Sequence, residues 1–191
     1  MNEKRYVALD RDGTVIEDKN YLADPNGVEL CRNAGEGLRA IVSMGLGLVI
    51  VTNQSGIARG YLGERDLEAV HRRMFEVLAE YGVQLDGVYH CPHGPDEGCS
   101  CRKPASGLMD RAAGELGFDP SRGFVIGDKP SDIELGRNVG ARTILVRTGN
   151  GGRTERQKSV RADFVANDLL QASSIIRQCL ESKSRFEERK P

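Results

Sequence analysis

Apolar positions along the chain fall into short continuous runs, separated by longer stretches in which they recur every three or four residues. The short runs predict strands at Tyr6–Leu9, Leu46–Val51, Gly87–His90, Gly123–Ile126, Thr143–Val146 and Asp163–Val165. The longer stretches predict helices at Ala34–Met44, Glu64–Tyr81, Ser106–Leu116, Ser131–Val139 and Asp168–Glu181. Strands that are apolar throughout bury both faces. Their alternation with helices therefore predicts an α/β fold, a parallel sheet with helices on both faces. Met44-Gly45, Tyr81-Gly82 and Leu116-Gly117 read as helix ends closed by glycine, and Asp168 as an N-cap. Ile16–Arg32 lacks helical periodicity and carries turn residues at Asn20, Asp24-Pro25 and Asn26-Gly27, the mark of a loop or a small hairpin. Gly149–Gly152 reads as a flexible loop, and Lys183–Pro191, almost all charged or polar, as a frayed tail. With no repeat and no linker, the expectation is one domain over residues 1–182.

Charge changes the picture by exclusion. The 191 residues carry 27 Lys and Arg against 28 Asp and Glu, well mixed, for a net charge of −1. A nucleic-acid or membrane-surface protein usually shows a basic excess or stripe. No apolar run approaches the roughly 20 residues of a spanning helix. The start, MNEKRYVALD, has no apolar signal region, so no secretory leader is expected. Five cysteines are an odd number, and three crowd into one stretch, CPHGPDEGCSCRKP at 91–104. That is a poor disulfide framework; it fits a cytoplasmic chain with a metal site.

Ligands of an open parallel sheet bind beyond the carboxyl ends of its strands. Those ends carry the polar residues here: Asp10-Arg11-Asp12-Gly13-Thr14, Thr52-Asn53-Gln54-Ser55-Gly56, Arg102-Lys103, and Gly127-Asp128-Lys129 with Asp132 close behind. Asp10 and Asp12, two apart past a strand, point roughly the same way. With Asp128 they form an oxygen-rich set that suits Mg²⁺. Lys103, Thr52 and the backbone N–H groups of Asn53 to Gly56 offer donors to a phosphate. A metal site beside an anion site is what phosphoryl transfer needs. Each piece alone has a plainer reading: a turn, a loop, a solvated lysine. Their joint placement at successive strand ends does not.

These segments resemble the four motifs of the haloacid dehalogenase superfamily of phosphatases, over about Val7 to Gly149. The resemblance implies a Rossmann-like fold without a large inserted cap, and an aspartyl-phosphate mechanism. Asp10 would be the nucleophile, Asp12 the acid–base, and Thr52 and Lys103 the holders of the phosphoryl oxygens. Mg²⁺ would lie among Asp10, Asp128 and the backbone carbonyl of Asp12. CPH…CSCRKP is similar to the zinc loop shared by histidinol-phosphate phosphatases and D-glycero-D-manno-heptose-1,7-bisphosphate 7-phosphatases. The stretches at 52–60 and 146–149 resemble the second family, which serves nucleotide-activated heptose biosynthesis. The spacing between His93 and Cys99 is shorter than in some members. By the same carry-over, Asp18, Lys19, Asn20, Tyr21, Thr52, Asn53, Gln54, Ser55, Arg102, Lys103 and Lys129 would contact a small sugar phosphate. Arg102 suits a second phosphate because its planar fork matches one.

Cys91, His93, Cys99 and Cys101 form a Cys₃His set, the ligand count of a closed structural Zn²⁺ site. Cys31 and Cys179 fall outside it, Cys179 in an apolar helical setting. His71 and His90 read as structural or exposed rather than as ligands. The rival readings are a histidinol-phosphate phosphatase, a catalytically dead zinc-stabilised binding module, and a zinc-ribbon nucleic-acid binder. The intact carboxylates and lysine weigh against the second, and the compressed ligand spacing against the third. A monomer is the expectation for a capless chain of this size.

Overall fold

The computed structural model describes residues 4–187. Six parallel strands, β1 (Tyr6–Leu9), β2 (Gly47–Asn53), β3 (Gly87–Cys91), β4 (Phe124–Gly127), β5 (Arg142–Val146) and β6 (Phe164–Ala166), form one sheet in the order β3-β2-β1-β4-β5-β6. Six helices connect them or follow: α1 (Ala34–Ser43), α2 (Glu64–Ala79), α3 (Gly107–Leu116), α4 (Pro130–Asn138), α5 (Gly151–Gln157) and α6 (Leu169–Glu187).

Alternation along each strand builds two cores. Val7, Leu9, Leu48 and Ile50 face one side and pack with Leu38 and Ile41 of α1, Met74 and Leu78 of α2, and Ile176 of α6. Tyr6, Ala8, Val49 and Val51 face the other and pack with Leu108, Met109 and Ala112 of α3 and Leu135 of α4. The four inner strands are thus buried on both faces, as their continuous apolar runs require, while the edge strands β3 and β6 are partly exposed. Glycine closes the helix ends where expected: Gly45, Gly82 and Gly117 all have positive φ. Asp168 caps α6, its Oδ1 accepting from the Gln171 N–H at 3.0 Å.

Strand order reverses between β1 and its two neighbours, β2 on one side and β4 on the other. This is the switch point at which doubly wound sheets open a crevice. Asp10 follows β1 and Asp128 follows β4, so the topology alone brings these two carboxylates to the same crevice.

Two expectations need correction. β2 runs two residues further than the apolar run, because Thr52 and Asn53 continue the ladder opposite His90 and Cys91. Ile16–Arg32, read as a loop or a small hairpin, is the loop, with a 3-10 turn at Pro25–Gly27 and an isolated bridge from Ile16 to Leu30. Gly149–Gly152 is not simply a flexible loop: α5 starts at Gly151, and a Cβ there would lie 1.6 Å from the Val146 carbonyl oxygen. Gly149 and Gly151 serve close approach. α6 remains helical through Glu187, and the rest of the tail, 188–191, lies outside the described residues.

Candidate active site

A cleft of about 250 Å³ opens at the carboxyl ends of β1, β2 and β4. Its walls include Asp10, Asp12, Thr52, Arg102, Lys103 and Lys129. Asp18, Asn20 and Tyr21 form one rim; Asn53, Gln54 and Ser55 line it too. Lys19 does not, since its ammonium pairs with Glu29 at 2.7 Å.

Asp10 is buried beside two ammonium groups. Lys103 Nζ donates to Asp10 Oδ1 at 2.8 Å, and Lys129 Nζ approaches Oδ2 at 3.3 Å. Burial alone would raise the Asp10 carboxyl, but the charges of Lys103 and Lys129 overcome it and bring the group down to about 2. The carboxylate is therefore ionised at any physiological pH.

Lys103 is buried; it donates to Asp10 and to the Val51 carbonyl at 2.6 Å, and it forms an ion pair with Asp132 Oδ1 at 2.7 Å. Its backbone is clamped by one side chain: Asn53 Oδ1 accepts from the Lys103 N–H at 2.9 Å, and Asn53 Nδ2 donates to the Lys103 carbonyl at 3.1 Å. Asn53 thus positions the lysine with both ends of its amide. The Gln54 N–H is committed to the Cys91 carbonyl at 2.7 Å, so it is not among the free donors expected at 53–56. The side chain of Gln54 instead bridges Asp12 and Thr52, donating to each at 2.8 Å.

Asp128 is fully enclosed. Its Oδ2 accepts from the Asn150 N–H at 2.7 Å, while its Oδ1 has no hydrogen-bond donor. Gly13 and Gly149, both with positive φ, close over it; a Cβ on either would sit 2.4 Å from Oδ2. Burial pushes the Asp128 carboxyl up to about 7, and the negative charges of Asp10 and Asp132 add to the rise against Lys129. One oxygen each of Asp10, Asp128 and Asp132 gathers within 4.8 Å of the others. A buried set of hard oxygens, two of which, Asp128 Oδ1 and Asp132 Oδ1, accept no hydrogen bond, fits a small divalent cation.

The cysteine loop closes on itself. Sulfur–sulfur distances are 3.1 Å for Cys91–Cys101, 3.5 Å for Cys99–Cys101 and 3.6 Å for Cys91–Cys99. His93 Nδ1 lies 3.2 Å from Cys101 Sγ. Donors this close, with no disulfide among them, fit one tetrahedral Zn²⁺. Arg102 is tied to the same loop, its Nη1 donating to the His93 carbonyl at 3.2 Å.

Residues 100–172 match the family model described as HAD-hydrolase-like. The chain is 39% identical over 175 residues to D-glycero-β-D-manno-heptose-1,7-bisphosphate 7-phosphatase of Haemophilus ducreyi, covering 87% of this chain and 95% of that one. The Escherichia coli protein of the same name is 36% identical over 181 residues, covering 90% and 93%. The crystal structure of D,D-heptose 1,7-bisphosphate phosphatase from B. bronchiseptica, complexed with magnesium and phosphate, superposes with a TM-score of 0.85 at 32% identity, covering 91% and 98%. The chain belongs to the heptose-bisphosphate phosphatase family of haloacid dehalogenase-like hydrolases.

As a member of this family it is a phosphoric monoester hydrolase. Among the described residues no helix is long and apolar enough to cross a membrane. Two further site residues were not singled out by sequence. Asp132 looked like a follower of Asp128; it is buried and holds Lys103, while its Oδ2 accepts from the Lys129 N–H at 2.9 Å. The signal was its place at the third position of α4, where a carboxylate caps the helix start. Arg11, between the two aspartates, turns inward and is 1% exposed. Nothing in local pattern marks a buried arginine.

Proposed function

We propose that this phosphatase removes the 7-phosphate of D-glycero-β-D-manno-heptose 1,7-bisphosphate through an aspartyl-phosphate on Asp10. The observation that carries the mechanism is the setting of Asp10: an ionised carboxylate, held by two lysines, at the base of a cleft that Asp12 also lines. The sugar is inferred from the names of relatives that align along nearly their whole length.

Asp10 attacks phosphorus in line, and the bond from phosphorus to the sugar oxygen breaks. Asp12 gives its proton to that departing oxygen. In the second step Asp12 takes a proton from water, which attacks the aspartyl-phosphate and frees phosphate and Asp10. Lys103 and Thr52 hold the phosphoryl oxygens. Asp10, Asp128 and the backbone carbonyl of Asp12 would hold Mg²⁺, which neutralises charge between the phosphate and its nucleophile. Arg102 and Lys129 face the remaining anionic part of the substrate, and Asp18, Asn20 and Tyr21 its sugar. Cys91, His93, Cys99 and Cys101 would hold a structural Zn²⁺; four protein ligands leave no position for substrate. The chain acts as one domain, a cytoplasmic monomer whose partner is a small sugar phosphate.

The test is an assay of the purified protein against both heptose 1,7-bisphosphate anomers and histidinol phosphate. The β-anomer should show the highest kcat/KM and release one phosphate. A preference for histidinol phosphate would overturn the substrate while leaving the phosphatase chemistry.

A further inference from the structure

Arg11 has its guanidinium enclosed in protein. Its Nε donates to Asp12 Oδ2 at 3.0 Å and its Nη2 to Asp12 Oδ1 at 2.9 Å, a two-pronged grip on one carboxylate. The same Nη2 reaches Gln54 Oε1 at 3.1 Å, and Gln54 Nε2 returns to Asp12 Oδ2 at 2.8 Å. Arg11 and Gln54 together therefore engage both oxygens of Asp12. A planar fork matched to a carboxylate fixes its rotation as well as its position.

The remaining prong runs away from the cleft. Arg11 Nη1 lies 3.1 Å from His71 Nε2. A guanidinium has only donors, so His71 Nε2 must be the lone-pair nitrogen of a neutral ring. Burial, with the charge of Arg11 next, holds the imidazole down at about 3, in agreement. His71 belongs to the buried row Leu67, Val70, His71, Met74 and Leu78 of α2. It is a polar residue in an apolar row, and Arg11 accounts for it. His71 is not among the residues lining the cleft, and α2 supplies none of them.

We propose that His71 is a positioning residue for the reaction: it anchors Arg11, and Arg11 with Gln54 aims the carboxylate of Asp12. The proposal rests on the reading of Asp12 as the acid–base. A leucine at 71 removes the acceptor, leaves a buried N–H without a partner and frees the guanidinium to shift. Asp12 loses its aim in turn. Binding of substrate, which His71 does not touch, is left as it was.

The leaving group separates this from general damage to the fold. A misplaced acid matters most when the leaving oxygen is basic. In single turnovers His71→Leu should slow phosphoryl transfer from phenyl phosphate about ten- to a hundredfold, with substrate affinity unchanged, and slow transfer from 4-nitrophenyl phosphate much less; hydrolysis of the aspartyl-phosphate, for which Asp12 is the base, should slow alike after either ester. His71→Gln, which keeps an acceptor, should restore most of the rate. In an Asp12→Asn background, His71→Leu should change neither ester further. Equal slowing of phosphoryl transfer from both esters, an effect that persists without Asp12, or no effect at all would overturn the proposal. Should His71→Leu not fold, Arg11→Lys carries the same comparison, since lysine keeps the charge but loses the fork. If Asp12→Asn alone fails to discriminate between the esters in phosphoryl transfer, the acid–base reading falls first, and the two failures are told apart.

Discussion

The ammonium of Lys129 lies 2.8 Å from the backbone carbonyl oxygen of Asp12. It is also 3.3 Å from Asp10, 3.4 Å from Asp128 and 3.5 Å from Asp18. Three of these oxygens belong to the set proposed for Mg²⁺. Carboxylates so close repel unless a cation sits among them, and the chain supplies one of its own. Lys129→Met should therefore destabilise the metal-free protein, by roughly 1–2 kcal/mol. That is less than a fully buried pair would lose, because a third of the lysine is exposed. Mg²⁺ should recover most of the loss. Thermal melts with chelator and with Mg²⁺ check this; equal melting of wild type and variant in chelator would contradict it.

Asp10→Asn keeps the shape of the side chain and removes the nucleophile. Turnover should fall on the order of 10⁴-fold or more, with the circular-dichroism spectrum unchanged. Acid quenching should trap radiolabelled phosphate on the wild type and none on the variant. Clear activity in a clean Asp10→Asn preparation would sink the covalent route.

Asp128 makes metal binding depend on pH. An acid raised to about 7 is protonated below that pH, and a metal needs it deprotonated. Mg²⁺ affinity should then weaken as pH falls through about 7, approaching roughly tenfold per pH unit below it, and level off above. Calorimetry between pH 6 and 8, in buffers of different ionisation enthalpy, should show proton release on binding at the acid end. A flat profile would mean that Asp128 is already ionised without metal.

The sequence was readable where one rule governed. Continuous apolar runs marked all six strands, and polar residues at their ends marked the crevice. Asp10 and Asp128 converge because strand order reverses beside β1, a consequence of topology, and Asn53 at the end of β2 draws in Lys103. What escaped was side-chain direction within loops. Arg11 sits between two aspartates with no periodicity to say that it turns inward. Asn53 looked like a substrate ligand, yet its amide is used on the Lys103 backbone. Gly149–Gly152 had the composition of a flexible loop, and only the approach of Asp128 and Gly13 to Gly149, and of the Val146 carbonyl to Gly151, shows why those two positions lack side chains. His71 read as structural or exposed; that it is buried against the Arg11 guanidinium was not legible.

The zinc loop should protect Arg102 more than Lys103, and this can be measured. Lys103 has two supports outside the loop: both ends of the Asn53 amide on its backbone, and Asp10 and Asp132 on its ammonium. Arg102 is held by the carbonyl of His93, itself one of the four clustered residues. A structural zinc contributes on the order of 10 kcal/mol to the fold of its own segment. Here the segment lies at one sheet edge, beyond β3, and the rest of the sheet has its own two cores. Chelating zinc, or Cys99→Ser, should melt the loop and leave the sheet. Arg102 then loses its placement while Lys103 keeps much of its own. Hydrolysis of the heptose bisphosphate should fall about 10²-fold, the usual cost of a misplacement near 1 Å, and that of 4-nitrophenyl phosphate far less. Asn53→Ala in the zinc-loaded protein should do the reverse, slowing both esters alike by loosening Lys103. Equal loss on both esters after zinc removal would mean that the loop, and not Asn53, holds the lysine in place.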